Sequence, residues 1–348
     1  MTGVRFSPDA VARALGGAAV ASVDVVETFV ATATVVTRLL VRFSDGQPAR
    51  SMIGKSATGA AAAAARRELE FFAHTAPLWD SRAPALLGAS DDGAGDDARV
   101  LMLTEDLGAT GHALVGAAIS EAQLGGAVDA LVALHARFWD AIPRRYLDPA
   151  RAMPSVTQSA QAWPPELIAG HAAAARVAAA RFLTAEGAAL SPDARVLLDD
   201  ALGAWQPQLT ARVAGGRAIT LIHADFHFFG NVLFAGDAPR PRVIDWSELK
   251  PGLGPHDLAY CLIGAPSDDR PLRDLALLRR YWEGLGAAGV RGYSWELCRW
   301  DHRFSLITNL FQSVFQRSTL WFRQTAQLIS ELQGTAALDR PPPMPPHA

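Results

Sequence analysis

The chain has 348 residues, 50% of them hydrophobic, which is enough to bury a large core divided between two domains or lobes. A net charge of -3 and the lack of a Lys/Arg-rich run argue against a nucleic-acid partner. The two cysteines, Cys261 and Cys298, exclude a disulfide framework and a cysteine-built zinc site. With no signal peptide and no uncharged segment of membrane-spanning length, the sequence predicts a cytoplasmic protein without a membrane partner.

The first hundred residues predict a short helix and an antiparallel sheet. Ser7 is a suitable N-cap, Pro8 fits the first helical position, and Gly16-Gly17 closes the helix. Strands are predicted where β-branched and apolar residues alternate with polar ones, at 22–27, 34–43, 49–55 and 99–103. A run of Ala predicts a helix over 60–72.

The rest of the chain is predicted to be mainly helical. Ser120 and Gln123 match a capping box for a long helix that ends near Trp139. Further helices are predicted over 165–185 and 191–213, and the prolines of 341–346 predict an extended end. No feature of the sequence indicates an oligomeric state.

Candidate catalytic residues follow short apolar runs in the segment 221–246. Phosphoryl transfer to a hydroxyl needs a carboxylate that orients the hydroxyl and accepts its proton, a role that suits Asp225. Mg²⁺ prefers oxygen ligands, which Asn231 and Asp245 offer. Residues 232–234 and 242–244 predict short strands around a turn-rich segment, and this hairpin would bring Asn231 back beside Asp245.

The chain resembles the aminoglycoside phosphotransferase and choline kinase group. The resemblance rests on His223-Ala224-Asp225, on Asn231 before an apolar strand, on Ile244-Asp245-Trp246 and on His256-Asp257-Leu258-Ala259-Tyr260. Together with the helix around His135, these motifs look closest to the ecdysteroid-kinase-like branch, and the resemblance spans roughly residues 25–330.

This resemblance implies an α+β, two-lobed protein-kinase-like fold and an ATP- and Mg²⁺-dependent enzyme that phosphorylates an alcohol group. It implies a sheet-rich N-terminal lobe over 1–103, a hinge over 104–108, a helical C-terminal lobe over 109–334 and a Pro-rich tail over 335–348. Lys55 would reach the nucleotide phosphates, with Glu68 as its ion-pair partner and Glu70 as the alternative. The adenine-binding hinge would include Thr104, Glu105 and Leu107.

Two departures from the family pattern leave an alternative open, a catalytically impaired kinase-like binding protein. Five residues separate Asp225 from Asn231 where the pattern has four, and Gly230 is expected to absorb the extra one through its backbone freedom. The phosphate-covering turn over 28–34 has no glycine, so Thr32 and Thr34 would offer hydroxyls and amides instead.

The histidines near Asp225, and also Asp257, are predicted to have mainly structural roles. His223 is predicted to be a buried residue that fixes the catalytic loop, because Asp225 already supplies the base. His227 is predicted to be a loop residue that also has access to the substrate. Asp257 is expected to cap the following helix and tie it to the loop.

Competing motifs are weak. Residues 49–56 fit a relaxed phosphate-loop pattern that ends in Lys55-Ser56, but they are predicted to form a strand, and no alternation of strands and helices follows. Zinc at His223, Asp225 and His227 is disfavoured by the neighbouring Asn and Asp, which suit magnesium. Neither Gly-x-Ser-x-Gly nor His-Glu-x-x-His occurs, so acyl-transfer and zinc-protease readings lack their essential residues.

The acceptor site is expected among the aromatic residues of 293–332, much of which must also be core. The candidate substrate contacts are His227, Glu248, His302 and Trp321. Acids are few after the catalytic segment, with Glu248, Asp268 and Asp269 the nearest, which disfavours a polycationic aminoglycoside. The sequence therefore predicts a small, neutral or apolar hydroxylated metabolite or antibiotic as the substrate.

Overall fold

The computed structural model describes residues 6–29, 34–79, 82–147, 165–265, 267 and 269–343. The chain forms two compact units. The first comprises residues 1–114 and 232–249, and the second comprises 115–231 and 250–348. Residues 232–249, placed in the C-terminal lobe by the sequence-based boundaries, thus belong to the first unit, because their strands pair there.

The first unit is built on a five-stranded antiparallel sheet in the order β1-β2-β3-β5-β4. Apolar side chains of β2, β3 and β5 form a core with α1, whose N-cap Ser7 accepts a hydrogen bond from Ala10 as predicted. The elements of this part are α1 (Pro8–Ala14), β1 (Val20–Phe29), β2 (Val35–Phe43), β3 (Arg50–Thr58), α2 (Ala62–His74), β4 (Leu86–Asp92) and β5 (Arg99–Glu105).

A small second sheet completes the first unit. It joins β6 (His112–Leu114), β8 (Val232–Ala235) and β9 (Arg242–Val243), and Val232 lies opposite Val243 in the predicted hairpin. Beyond β9, the indole of Trp246 stacks on Phe71 of α2 at 3.9 Å and meets Trp79 edge-on at 4.8 Å. The returning segment therefore fills part of the first unit's core.

The second unit is mainly helical, and its core is largely formed by α4, α5, α6, α8 and α9. Ser120 and Gln123 form the predicted capping box at the start of α3. A two-stranded ladder pairs Ile222 with Lys250. The elements are α3 (Glu121–Phe138), α4 (Pro165–Glu186), α5 (Pro192–Val213), β7 (Thr220–Ile222), β10 (Lys250–Gly252), α6 (Pro255–Ile263), α7 (Arg270–Ala287), α8 (Trp295–Phe315), α9 (Thr319–Glu331) and α10 (Ala336–Asp339).

Three local features bear on the sequence predictions, one confirming them and two differing from them. The phosphate-loop pattern over 49–56 falls in β3, which pairs with β2 and β5, so the strand interpretation is confirmed. β4 was not predicted, because Gly88 and the acids at its end obscure the alternation. The segment assigned to the tail contains α10, where Ala337 is buried. No helix in the described ranges is both long and apolar enough to cross a membrane.

Candidate functional site

In the first unit, Lys55 is held between two carboxylates. Its Nζ donates to Glu68 Oε2 at 2.5 Å and to Asp245 Oδ1 at 2.7 Å. Burial opposes the charge on Lys55, but the two carboxylates outweigh it and raise the lysine pKa. The expected ion pair thus forms with Glu68 and not with Glu70, and it includes Asp245.

Glu68 is itself almost fully buried on α2. Burial raises its pKa, while the charge of Lys55 opposes that rise. Its second oxygen accepts a hydrogen bond from the backbone N–H of Trp246 at 3.3 Å, which ties α2 to the segment carrying Asp245. A buried carboxylate of this kind needs such partners, because an unpaired buried charge costs several kcal/mol, roughly 3–5 when a buried pair is broken.

Asp245 occupies a left-handed backbone conformation, with φ 62° and ψ 72°. Its Oδ1 also accepts from Ser247 Oγ at 3.1 Å, and its side chain is 42% exposed. A non-glycine residue in this region stores about 1 kcal/mol or more of strain and is found preferentially at functional sites. Asp245 is therefore a fixed and accessible carboxylate.

The predicted hinge is well ordered by polar contacts. The buried Asp106 accepts from Arg38 Nε at 3.0 Å, from Ser51 Oγ at 2.6 Å and from the Gly108 N–H at 3.0 Å. Thr104 lies within β5, and the Glu105 N–H donates to the carbonyl of Ala85.

The Glu105 side chain and the Leu107 carbonyl of the predicted hinge also accept hydrogen bonds. The Glu105 carboxylate accepts from Arg242 at 2.6 Å, and the Leu107 carbonyl accepts from Thr110 and His112. Their assignment to adenine stays a prediction. In the predicted phosphate-covering turn, Thr34 precedes β2 directly, whereas Thr32 lies outside the described residues.

In the second unit, Asp257 anchors the loop that carries Asp225. Its carboxylate accepts from the backbone N–H groups of His223 at 2.7 Å and Ala224 at 2.8 Å, and His135 Nε2 lies 3.2 Å away. Hydrogen bonding to the charged form keeps the Asp257 pKa low despite complete burial. The predicted tie to the loop is confirmed. The capping role is not, because Gly254 occupies the N-cap and Asp257 points its oxygens at the loop.

His223 is fully buried, and its Nδ1 accepts a hydrogen bond from the N–H of Asp225 at 3.2 Å. The predicted structural role of His223 is confirmed. Between them, Ala224 has φ 66°, a conformation that a residue with a Cβ adopts at a cost. Asp257 and His223 thus impose the backbone turn that presents Asp225.

Asn231 lies beside Asp225 in spite of the longer loop. Its Nδ2 donates to the backbone oxygen and to Oδ2 of Asp225, both at 2.8 Å. Between the two, Phe228 is buried while Phe229 is 49% exposed and lies against Gly264. The five intervening residues therefore do not separate Asn231 from Asp225.

Gly230 permits the loop for a reason other than the expected one. Its φ is not positive, so no special backbone freedom is used. Instead, a Cβ at this position would come within 2.6 Å of the His227 ring. The glycine is needed because His227 packs directly over its Cα. That ring also lies 3.9 Å from Asp225 Oδ2.

Tyr260 of α6 completes the surroundings of Asp225 and is the main site residue that sequence reasoning missed. Burial, the charge of Asp225 and a hydrogen bond to the Asp225 carboxylate raise the tyrosine pKa well above its usual value. Gln312 Nε2 donates to the phenol oxygen at 2.9 Å. The buried Tyr260 phenol thus interacts with both Gln312 and Asp225. The only signal in the sequence was the position of Tyr260 three residues after Asp257.

The remaining candidate substrate contacts lie in different places. His227 meets the Tyr260 ring edge-on at 5.8 Å, and Trp321 lies 5.5 Å from the same ring with its indole N–H buried and without a partner among the described residues. Glu248, in the first unit, approaches Arg67 at 4.0 Å. His302 is buried in a cavity lined by α7, α8 and the end of α9.

The side chain of Asn231 suits a hard cation. The amide oxygen of Asn231 makes no hydrogen bond within the described residues, while its NH₂ group is held by Asp225. Asn231 thus presents an oxygen in a fixed orientation, the ligand type that Mg²⁺ prefers. Among the described residues, no three His, Cys, Asp or Glu side chains come together as a metal site.

Comparisons with known proteins agree with this picture. The model of the phosphotransferase enzyme family APH matches residues 33–293. No curated protein matches the sequence. A solved structure, the GDP complex of a mutant aminoglycoside 2′-phosphotransferase of type IIIa, is 12% identical with a TM-score of 0.51, over 94% of this chain and 96% of that chain. This similarity confirms the two-lobed, α+β, kinase-like fold.

Two other solved structures are similar over most of their length. An aminoglycoside 3′-phosphotransferase of type VIII is 19% identical, with a TM-score of 0.48, over 89% of this chain and 97% of that chain. A Plasmodium vivax ethanolamine kinase is 12% identical, with a TM-score of 0.46, over 88% of this chain and 81% of that chain.

Proposed function

This chain belongs to the phosphotransferase enzyme family APH, whose model covers residues 33–293 of the 348, and we propose that it transfers the γ-phosphate of ATP to a hydroxyl group of a small molecule. The observation that carries the proposal is the environment of Asp225. A carboxylate fixed by Asn231 and Tyr260 at the end of a clamped loop is what proton removal from an alcohol requires.

Asp225 is the proposed base. Its backbone is fixed by His223, and its carboxylate receives hydrogen bonds from Asn231 and Tyr260. Both bonds fix the orientation of the carboxylate that is to accept the proton. Asp225 orients the acceptor hydroxyl and takes its proton as the oxygen attacks phosphorus.

Lys55, Asn231 and Asp245 are the proposed nucleotide and metal residues. Lys55 binds the nucleotide phosphates, and Glu68 holds its ammonium in place. Asn231 offers its free amide oxygen and Asp245 its exposed carboxylate as ligands for magnesium. When bound, Mg²⁺ neutralises phosphate charge and ATP supplies the transferable group. Thr34 and the segment around Glu105 remain the proposed contacts of the nucleotide.

The proposed acceptor is a neutral or apolar hydroxylated metabolite or antibiotic. Aromatic rings dominate the neighbourhood of Asp225, namely His227, Tyr260 and, behind Tyr260, Trp321. The unpartnered indole N–H of Trp321 supports a substrate with an oxygen acceptor next to an apolar surface. A polycation would instead call for several acids around Asp225.

The test is an ATP-consumption screen of the full chain against hydroxylated metabolites. We expect turnover with at least one alcohol, and Asp225→Asn should lower it by about 10²–10⁴-fold while nucleotide binding is retained. Lys55→Met should weaken nucleotide binding itself. Unchanged turnover in Asp225→Asn would overturn the assignment. Nucleotide binding without transfer to any alcohol would favour the alternative, a kinase-like binding protein.

A further inference from the structure

A cavity of about 190 Å³ lies among α7, α8 and the end of α9 in the second unit. Apart from His302, which the sequence predicted as a substrate contact, none of its lining residues is assigned a role in phosphoryl transfer. Since one water occupies about 30 Å³ of liquid, the space equals roughly six waters, the size of a small organic molecule.

On one side of this cavity, three hydrogen-bond acceptor atoms have no donor among the described residues. Asp274 Oδ2, Glu331 Oε2 and His302 Nε2 are buried, and none has a hydrogen-bond partner among the described residues. The other oxygens of the two carboxyl groups are engaged, Asp274 Oδ1 by Arg273 and Glu331 Oε1 by Gln327. Burial lowers the pKa of His302 to about 4, so its ring is neutral and one nitrogen can accept.

The opposite charge also lines the cavity. Arg299 makes no hydrogen bond or ion pair with any described residue. Four residues along α8, Arg303 has its pKa lowered by burial and then by the charge of Arg299. Buried carboxylate oxygens without a donor and a half-buried guanidinium without a counter-ion among the described residues therefore face one space.

We propose that this cavity binds a small zwitterion, specifically an α-amino acid with an apolar side chain. An ammonium group has three donors, which match the free acceptors of Asp274, Glu331 and His302. A carboxylate matches the guanidinium of Arg299 in bidentate geometry. Leu272 and Leu275, which line the cavity and are exposed to 65% and 42%, would cover the side chain.

The experiment is calorimetric titration of the full chain, without nucleotide, with three matched probes. L-leucine carries both charged groups, 3-methylbutylamine carries only the ammonium group, and 4-methylpentanoate carries only the carboxylate. We expect L-leucine to bind about tenfold or more tightly than either fragment, since each lost charged hydrogen bond is worth roughly 1.5–3 kcal/mol.

Two variants test the carboxylate-binding end and the ammonium-binding end of the cavity separately. Arg299→Gln should remove the advantage of L-leucine over the amine, and Asp274→Asn should remove its advantage over the carboxylate. Glu296→Gln, an exposed position on α8 outside the cavity, should bind L-leucine like the parent chain. If no probe binds the parent chain, or if both cavity variants bind L-leucine unchanged, the proposal is overturned.

Discussion

Asn231 donates hydrogen bonds of 2.8 Å to both the backbone oxygen and the carboxylate of Asp225. The spacing of five residues therefore does not separate the amide from the proposed base. Because the NH₂ group is held in this way, the amide oxygen is free for a different partner. Because of the same contact, a charged side chain at position 231 would act directly on the Asp225 carboxylate.

Asn231→Asp should change the pH dependence of turnover, because it places a second carboxylate beside the proposed base, and like charges that share one site repel. The acid limb of the kcat/KM profile should move to higher pH by about one unit or more, on the usual size of such shifts. The measurement is a pH–rate profile of variant and parent. An acid limb that stays in place would show that Asp225 does not govern the profile.

Tyr260→Phe should shift the same acid limb in the same direction, because the charged form of Asp225 loses a donor. Activity near neutral pH should fall by about tenfold, and stability should fall by about 1 kcal/mol as Gln312 loses its acceptor.

Tyr293→Phe is the matched control for Tyr260→Phe. Tyr293 is also buried and donates to a carboxylate, that of Asp301, at 2.9 Å. The Tyr293→Phe variant should lose a similar free energy of unfolding, but the acid limb of its kcat/KM profile should stay in place. Equal pH profiles for the two variants would contradict a positioning role of Tyr260.

Gly230→Ala should impair activity through a clash, because the new methyl group would lie 2.6 Å from the His227 ring. If space is the cause, Gly230→Ala in a His227→Ala background should cost much less than in the parent chain. Turnover of the four combinations measures this coupling directly. Gly203→Ala serves as a control in an open helical position, where a stabilisation of about 0.5–1 kcal/mol is expected.

Asp274→Asn should stabilise the protein at neutral pH but not in acid. Burial raises the Asp274 pKa from 3.8 to about 6, so the native state binds more protons than the unfolded state between these values. The carboxyl's contribution to the free energy of unfolding therefore falls as pH rises from about 4 to about 6, by up to roughly 2–3 kcal/mol.

Chemical denaturation at pH 4 and pH 7.5 checks this prediction. The difference in unfolding free energy between Asp274→Asn and the parent should grow toward higher pH. The same difference at both pH values would show that burial does not hold the Asp274 carboxyl protonated.

The sequence predicted those parts of the fold that rest on local patterns. The alternation in β2 and β3, the capping box at Ser120 and the hairpin before Asp245 were all found close to their expected positions. The ion pair of Lys55 with Glu68 could be predicted because a known family supplied the pairing. Periodicity alone would not have connected a strand to a particular turn of the next helix.

The remaining features depend on contacts between distant segments. Gln312 reaches Tyr260 from α8, and the unpartnered acceptors of the cavity around His302 come from three different helices. No pattern of neighbouring residues in the sequence indicates such contacts between distant segments. The role of Gly230 was misjudged for a related reason, since backbone freedom can be read from a sequence, whereas the position of the His227 ring cannot.

Trp246 has a consequence for the order in which the chain can fold. Its indole stacks on Phe71 and meets Trp79, yet it is synthesised long after both. Domains usually fold as units while they emerge from the ribosome. The surface of α2 that Trp246 covers in the folded protein therefore stays uncovered while residues 115–231 of the second unit are being made. A nascent chain stopped before residue 246 should therefore expose Phe71, a natural point for chaperone binding.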